Sequence, residues 1–503
     1  MKKEKKLSIK TMIQFIKQKI TKQKQYPILS ICIQLIVCIS FVIVNCFHSN
    51  KLFAAKTIKI DDAIKLGIEN SYELKQSRLE TKKAEALVSE VFGNALPSLD
   101  LSASLSHAFK KQIVPIDFES MLAQAVYGVL WKENLLEYDP SKLPSGNNYT
   151  SMQLDNTLQA QLQLTQILFN SAVFTGIGIS KDYLKVSQSQ YNAKVSDLIM
   201  NIKSAFNGVL YAKEMLEITN ASYENAKENL RNVMALSKEG LVSEFTTLEA
   251  SVRVENIKPR IRQIENVVKN ATDGLKMLIG LSQNEEVVII SDEDYKNIDE
   301  ELSDIETYIK QAKENNLNLK ILENVRVVNE ASVKADEAGY YPSLAGFANF
   351  AWNGMSNEFK NFQTYQTSMA GISLSMNLFK GMQTKHKVQQ SKIEVIKTNE
   401  QINQLKDAIE MQIKANVNEL IRIKEEILAQ ERNIRVAERA YELAMTRFKE
   451  GTGSQLEILN SDLALSTAKT NKLESIFNYF SSRAQLDNLL GIIPEQWKIN
   501  NGK

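Results

Sequence analysis

Ala444–Leu465 reads AMTRFKEGTGSQLEILNSDLAL, and Ala226–Leu248 reads AKENLRNVMALSKEGLVSEFTTL. Both pass from a heptad-patterned helix through a glycine turn and a serine cap into a second helix. Gly240 and Gly451 are 211 residues apart. Phe169 and Phe379, which end the alternating segments QLTQILFN and SMNLFKGM, are 210 apart. Two separate landmarks at nearly one offset predict an internal duplication.

The helices entering these turns are predicted to be long. Ser171–Glu239 holds no proline, and Leu198, Ile202, Ala205, Val209, Ala212 and Leu216 alternate spacings of four and three. Ile413, Leu420, Ile427, Ile434, Tyr441 and Phe448 fall seven apart. A 3.5-residue period marks a coiled-coil seam. Nearly 70 residues at ~1.5 Å each reach roughly 100 Å. Such a helix is marginal alone and needs neighbours. The returning helices, Ser243–Ile279 and Ser454–Leu490, are about half as long, and Pro259 is expected to kink the first. Helices over Thr57–Gly93, capped by Asp61 and Asp62, and over Asp304–Gly339 are expected to fill the shortfall end on end. Leu281–Glu301 is acidic, with a short strand expected at Glu286–Ile290, midway along the long helices.

Between the first helix and the long helix of each repeat, the period changes from 3.5 to 2. Leu99–Ser106 and Leu158–Thr165 alternate strictly, Ser343–Trp352 less regularly because Phe347 shares a face with Asn349, and Ala370–Leu378 strictly again. Strands of about ten residues with one apolar and one polar face fit a membrane β-strand; a soluble antiparallel sheet with one wet face shares the pattern. An export segment, and only four strands beside very long helices, favour the membrane reading. Four strands cannot close a barrel, and an open edge is not tolerated in lipid, so that reading requires oligomerisation. The first hairpin carries some 35 extra residues within His107–Asn148, flanked by Pro115, Pro140, Pro144 and Gly146, with an apolar helix expected at Met121–Trp131.

Nine lysines precede Pro27, Ile28–Val44 is apolar, and Leu52–Ala55 offers small residues for cleavage. This is the pattern of an export signal over residues 1–55. An uncleaved anchor, lipidation at Cys46 and a start at Met12 are the other readings of this segment. Cys32, Cys38 and Cys46 are the only cysteines, so a chain cut after Ala55 has no disulfide or thiol chemistry. The leader holds ten lysines and one glutamate, and without it 51 basic residues face 58 acidic ones. No basic stripe remains for nucleic acid. His107 and His386 lie far apart, and no metal-ligand cluster, phosphate loop or nucleophile–base pair is visible, so neither catalysis nor a cofactor is expected.

The export signal, the two repeats of helix, hairpin, long helix, turn and helix, and the turn sequences together resemble the TolC-like outer-membrane efflux factors. Ala444–Leu465 follows the family pattern A-x-x-R-[YF]-x-x-G-x-x-S-x-[LV]-[DE]-[VIL]-L closely, and Leu96-Pro97-Ser98-Leu99, Tyr341-Pro342-Ser343-Leu344 and Leu378-Phe379-Lys380-Gly381 are similar to its strand ends. The resemblance covers residues 56–493: a first repeat at 56–281, a connection at 282–303, a second repeat at 304–493, and a tail at 494–503. It implies a mostly helical fold with four transmembrane strands per chain. The β-barrel and the coiled-coil α-barrel would be completed only in a homotrimer in the outer membrane of a diderm bacterium. It also implies a periplasmic adaptor (membrane fusion) protein docked on the tips, joined to an inner-membrane pump.

In the family, carboxylates after the second tip ring the lumen at its narrowest point. The first matches Glu457; the second falls on Asn460, where this chain departs from a double acidic ring. The first-repeat equivalents are Thr246 and Glu249. A glutamate in a helix's first turn is also favoured by the helix dipole alone, and that reading stays open for Glu457. The tips Gly240, Leu241, Val242, Ser243, Gly451, Thr452, Gly453 and Ser454 are the candidate adaptor contacts. Arg231 and Arg447 precede them at similar distances and are placed as carbonyl caps, partners for acids, or adaptor contacts. For Leu241, Val242 and Leu456, local packing is the alternative. The expected function is a passive exit duct for efflux or type I secretion. The alternative is an exported coiled-coil structural or adhesive envelope protein without a pore.

Overall fold

A computed structural model describes residues 56–113, 117–143, 151, 153–291, 298 and 301–498. The export segment with its three cysteines, and Pro115, Pro144 and Gly146, lie outside them. Contacts divide the chain into two units. In the smaller, β1 (Lys56–Ile58) pairs in parallel with β4 (Val287–Ile289), within the expected Glu286–Ile290 segment.

The larger unit contains every α-helix of the described residues. In chain order these are α1 (Ile60–Asn70), α2 (Tyr72–Gly93), α3 (Phe118–Lys132), α4 (Ser171–Lys238) and α5 (Glu244–Leu278), then α6 (Ile305–Asn315), α7 (Leu317–Glu337), α8 (Gln383–Lys449) and α9 (Gln455–Leu489). The long helices have 68 and 67 residues, and the returning helices have 35 each. The heptad positions face inward: Ile202, Val209 and Val233 on α4, and Ile413 and Leu420 on α8, have no measurable exposure. Burying each such aliphatic side chain contributes about 1.5–3 kcal/mol, which is what holds a helix of this length in water. α4 packs against α5, α9, α7 and α2, and α8 against α9, α7 and α6. α5 runs through Pro259 without interruption.

The sequence expectation of two single helices ahead of the hairpins is corrected. Thr57 and Ile58 belong to β1, and the first helix breaks at Ser71 into α1 and α2. Asp61 and Asp62 occupy the first turn of α1 but do not cap it; Lys59 is the N-cap and has no side-chain cap bond. The second helix breaks at Asn316, whose side chain accepts from Leu319 N and so starts α7. The breaks have a packing cause. Gly280, just past α5, has φ +68°, and a Cβ there would lie 2.8 Å from Asn70 O. Gly491, just past α9, has φ +66°, and a Cβ there would overlap Asn315 O. Asn316 Nδ2 also donates to Leu489 O at 2.9 Å. Each returning helix thus meets its short-helix pair at the break, where a glycine lets the two backbones touch.

The hairpins form one antiparallel sheet in the order β2 (Ser98–His107), β3 (Asn156–Phe169), β5 (Ser343–Ser356), β6 (Gln363–Ser375). β6 begins earlier than the alternation indicated and stops before Met376 and Leu378. Its full pairing runs with β5, from Gln363 opposite Met355 to Ser375 opposite Ser343. The register sets apolar residues side by side: Leu99, Leu164, Ala348 and Ala370 form one row, and Leu101, Leu162 and Phe350 another. The opposite face carries Asp100, Gln163 and Asn349. Phe347, the residue that spoils the alternation, sits opposite Gly371, whose missing Cβ would lie 2.9 Å from the Phe347 ring. The apolar face is open: Leu101 is 77% exposed and Ile372 and Leu374 are each 70% exposed.

Gly491→Ala is expected to lower the apparent melting temperature more than Gly451→Ala. Both residues adopt positive φ, which costs an L-residue about 1–2 kcal/mol. Only Gly491 also has backbone in the way of a Cβ. Thermal denaturation of the two variants side by side checks this; equal shifts would contradict the close approach.

Candidate functional site

The two tips are built alike. After α4, Gly240 at φ +72° donates to Ser237 O, and Leu241 N donates to Leu236 O at 2.9 Å. After α8, Gly451 at φ +73° donates to Phe448 O, and Thr452 N donates to Arg447 O at 2.9 Å. These are Schellman-type stops that need a left-handed residue. Ser243 Oγ then accepts from Thr246 N, and Ser454 Oγ from Glu457 N, each at 3.2 Å, starting α5 and α9.

The second tip is more heavily cross-linked. Arg447 Nη2 donates to Thr452 O at 3.2 Å, satisfying a tip carbonyl, and Arg447 Nη1 lies 3.3 Å from Glu457 Oε2. Ser454-x-x-Glu457 has the sequence of a capping box, but the glutamate turns to Arg447. The pair is half-exposed, so it contributes little to stability; its consequence is to bring a cation against this carboxylate. Gly453 is needed here, because a Cβ would lie 2.9 Å from Phe448 N. Arg231 is exposed on α4. Thr246, Glu249 and Glu457 are half-buried and Asn460 is exposed.

The tips are fused by a small apolar core of Val233, Ala250, Ala444, Phe448 and Ile458. Val242 is half-buried against this core, whereas Leu241, Phe245 and Leu456 are 70%, 67% and 62% exposed. Beside the core lies a polar cross-link that sequence reasoning missed. Asp462 on α9 is 6% exposed and accepts from Ser222 Oγ of α4 at 3.1 Å and from Arg253 Nη2 of α5 at 3.0 Å. One carboxylate therefore ties three helices from both repeats. Burial, with the Asp462 and Glu228 carboxylates nearby, pushes the Tyr441 phenol up to about 12, so it stays neutral. A signal for Asp462 existed: it occupies the seam spacing between Ile458 and Leu465, where a carboxylate requires partners. Their identity was not readable, because Ser222 and Arg253 lie more than 200 residues away.

Comparison with known proteins agrees with this architecture. The sequence profile of the outer membrane efflux protein family matches residues 308–492. The outer membrane protein TolC of Escherichia coli (strain K12) is 20% identical over 351 residues, covering 68% of this chain and 71% of that protein. The chain is similar to the TolC-like outer-membrane efflux proteins. The alkaline protease secretion protein AprF of Pseudomonas aeruginosa is 21% identical over 345 residues, covering 66% of this chain and 69% of that protein. Among solved structures, the outer membrane protein VceC of Vibrio cholerae superposes with a TM-score of 0.64 at 14% identity, over 86% of this chain and 96% of that one. These relatives are outer-membrane and secretion proteins by description, and the similarity supports an outer-membrane efflux or secretion channel.

Asp462→Asn keeps the shape of the cross-link but removes its charge, leaving Arg253 a neutral acceptor. A loss of about 1–3 kcal/mol is expected, as for a charge-assisted buried bond, read as a lower melting temperature. An unchanged melting temperature would mean that the cross-link holds nothing together.

Proposed function

We propose that three copies of this chain form one passive duct for efflux or type I secretion. Their four-stranded sheets would close a single transmembrane β-barrel, and their long helices a hollow α-barrel below it. The observation that carries this reading is the two-faced sheet whose outer strands, β2 and β6, each keep one edge open among the described residues. Its strands of 10 to 14 residues are long enough for a tilted crossing of the membrane. Its apolar face suits lipid, and its Asp, Ser, Gln and Asn face suits a water-filled lumen. The number three comes from the resemblance to TolC-like factors. A duplication origin is supported by the repeated order of elements and the near-equal helix lengths, 68 against 67 and 35 against 35. A pore-less coiled-coil stalk has no use for such a sheet.

The tips are the proposed docking surface for a periplasmic adaptor, which would couple the duct to an inner-membrane pump. Gly240–Ser243 and Gly451–Ser454 present exposed turns, and Leu241 and Leu456 offer apolar contacts beside them. Glu457 is the proposed constriction carboxylate, with Asn460, Thr246 and Glu249 lining the same level. Three Glu457 side chains about one axis favour cations, and Arg447 beside each of them offsets part of that charge.

Single-channel recording in planar bilayers tests the reading. Glu457→Ala is expected to lower the potassium-over-chloride permeability ratio by roughly two- to threefold, and Arg447→Ala to raise it by a similar factor. Unchanged selectivity in both would remove Glu457 from the constriction, and a wild-type protein that never conducts would remove the duct.

A further inference from the structure

The insertion between β2 and β3 leaves the sheet at the end away from the long helices. Its helix α3 reads FESMLAQAVYGVLWK, with Glu119 and Lys132 its only charged residues, and buries none of its side chains. Met121, Leu122, Val126 and Val129 are each more than half exposed. A helix that is apolar around its circumference belongs in a protein core or in lipid, not facing water.

Three observations choose lipid. First, the chain enters the insertion from the apolar face of the sheet. His107 is two residues beyond Leu105 on that face, its Nδ1 lies 2.8 Å from Asn156 Oδ1, and its ring packs against Phe109 and Phe359 at 4.9 and 5.6 Å. Phe109 is 96% exposed. Aromatic rings at the ends of membrane strands sit at the lipid–water boundary. Second, the entry point is fixed. Lys111 Nζ pairs with Asp155 at 3.0 Å and donates to Asn357 Oδ1 at 3.3 Å, tying the insertion to the β5–β6 turn. Third, the far end of α3 carries a second aromatic group. Trp131 packs on Tyr127 at 5.7 Å and on Tyr138 at 4.6 Å, beside Lys132. Tyr127 and Tyr138 carry an apolar body and a polar tip, suited to headgroup level. Fifteen residues, about 22 Å of helix, are too short to cross a bilayer.

We propose that α3 is a lipid anchor, lying in the outer half of the membrane alongside the sheet's apolar face. The groove between α3 and Leu136, walled by Leu122, Val126 and Leu130, would receive acyl chain. The inference rests on the membrane reading of the sheet, and the test separates the two. Trp131, Trp352 and Trp497 are the three tryptophans of the chain. The full-length protein carrying Trp352→Phe and Trp497→Phe reports on α3 alone; Trp131→Phe with Trp497→Phe reports on the apolar face through Trp352. Both are reconstituted into phosphatidylcholine vesicles with and without brominated acyl chains. The expected result is that each loses roughly half of its emission to the brominated lipid, as for side chains at the headgroup–acyl boundary. Quenching of Trp352 without quenching of Trp131 would overturn the anchor and assign α3 a protein cover, such as a second copy of the chain. Quenching of neither would overturn the membrane reading as well. Should a double variant not fold, the difference in quenching between wild type and Trp131→Phe reports the same quantity.

Discussion

A β-sheet in hydrocarbon must have every backbone N–H and C=O paired, because no water is there to replace a missing partner. This chain has a sheet with an exposed apolar face and two outer strands, β2 and β6, each paired on one side only among the described residues. The apolar face favours lipid and the open edges forbid it. On the proposed membrane reading, strands from further copies would satisfy both conditions. The same constraint fixes which way the side chains point. A slip of one residue in the β2–β3 register would move Leu101 or Leu162 to the polar face and a glutamine to the apolar one.

Below the sheet the constraint changes. Helices of 68 and 67 residues are held by neighbours along their length, yet no neighbour is as long. Two shorter pieces serve each half, and each meets the other at a glycine: Gly280 against Asn70, and Gly491 against Asn315. At the opposite end, the tips of both repeats share one small core and one buried carboxylate, Asp462. The tips therefore move together if they move at all. A partner that reorganises them must either carry the shared core as a unit or break the bonds from Ser222 and Arg253.

Much of this was legible in the sequence, because periodicity is a local property. The heptads placed α4 and α8 to within a residue or two at their tip ends, and the glycine–serine turns placed their stops. Strict alternation placed β2. Interactions between distant segments were not legible. Asn316 is a local N-cap signal, but the packing that goes with the breaks at Ser71 and Asn316 lies at Gly280 and Gly491, some 200 and 175 residues away. Asp61 and Asp62 looked like caps because acidic residues favour a first turn in either role. β6 began before its alternation became clean, because pairing with β5 rather than pattern sets its start. At the second tip, the family resemblance singled out Glu457, but its pairing with Arg447 depends on how the turn closes and was not legible.

The mass of the detergent-solubilised assembly bears most directly on the requirement for further strands. Native mass spectrometry of the protein, extracted in mild detergent and never denatured, should find three chains in one particle and no stable single chain. A folded monomer that persists at micromolar concentration, its sheet edges bare, would contradict the account.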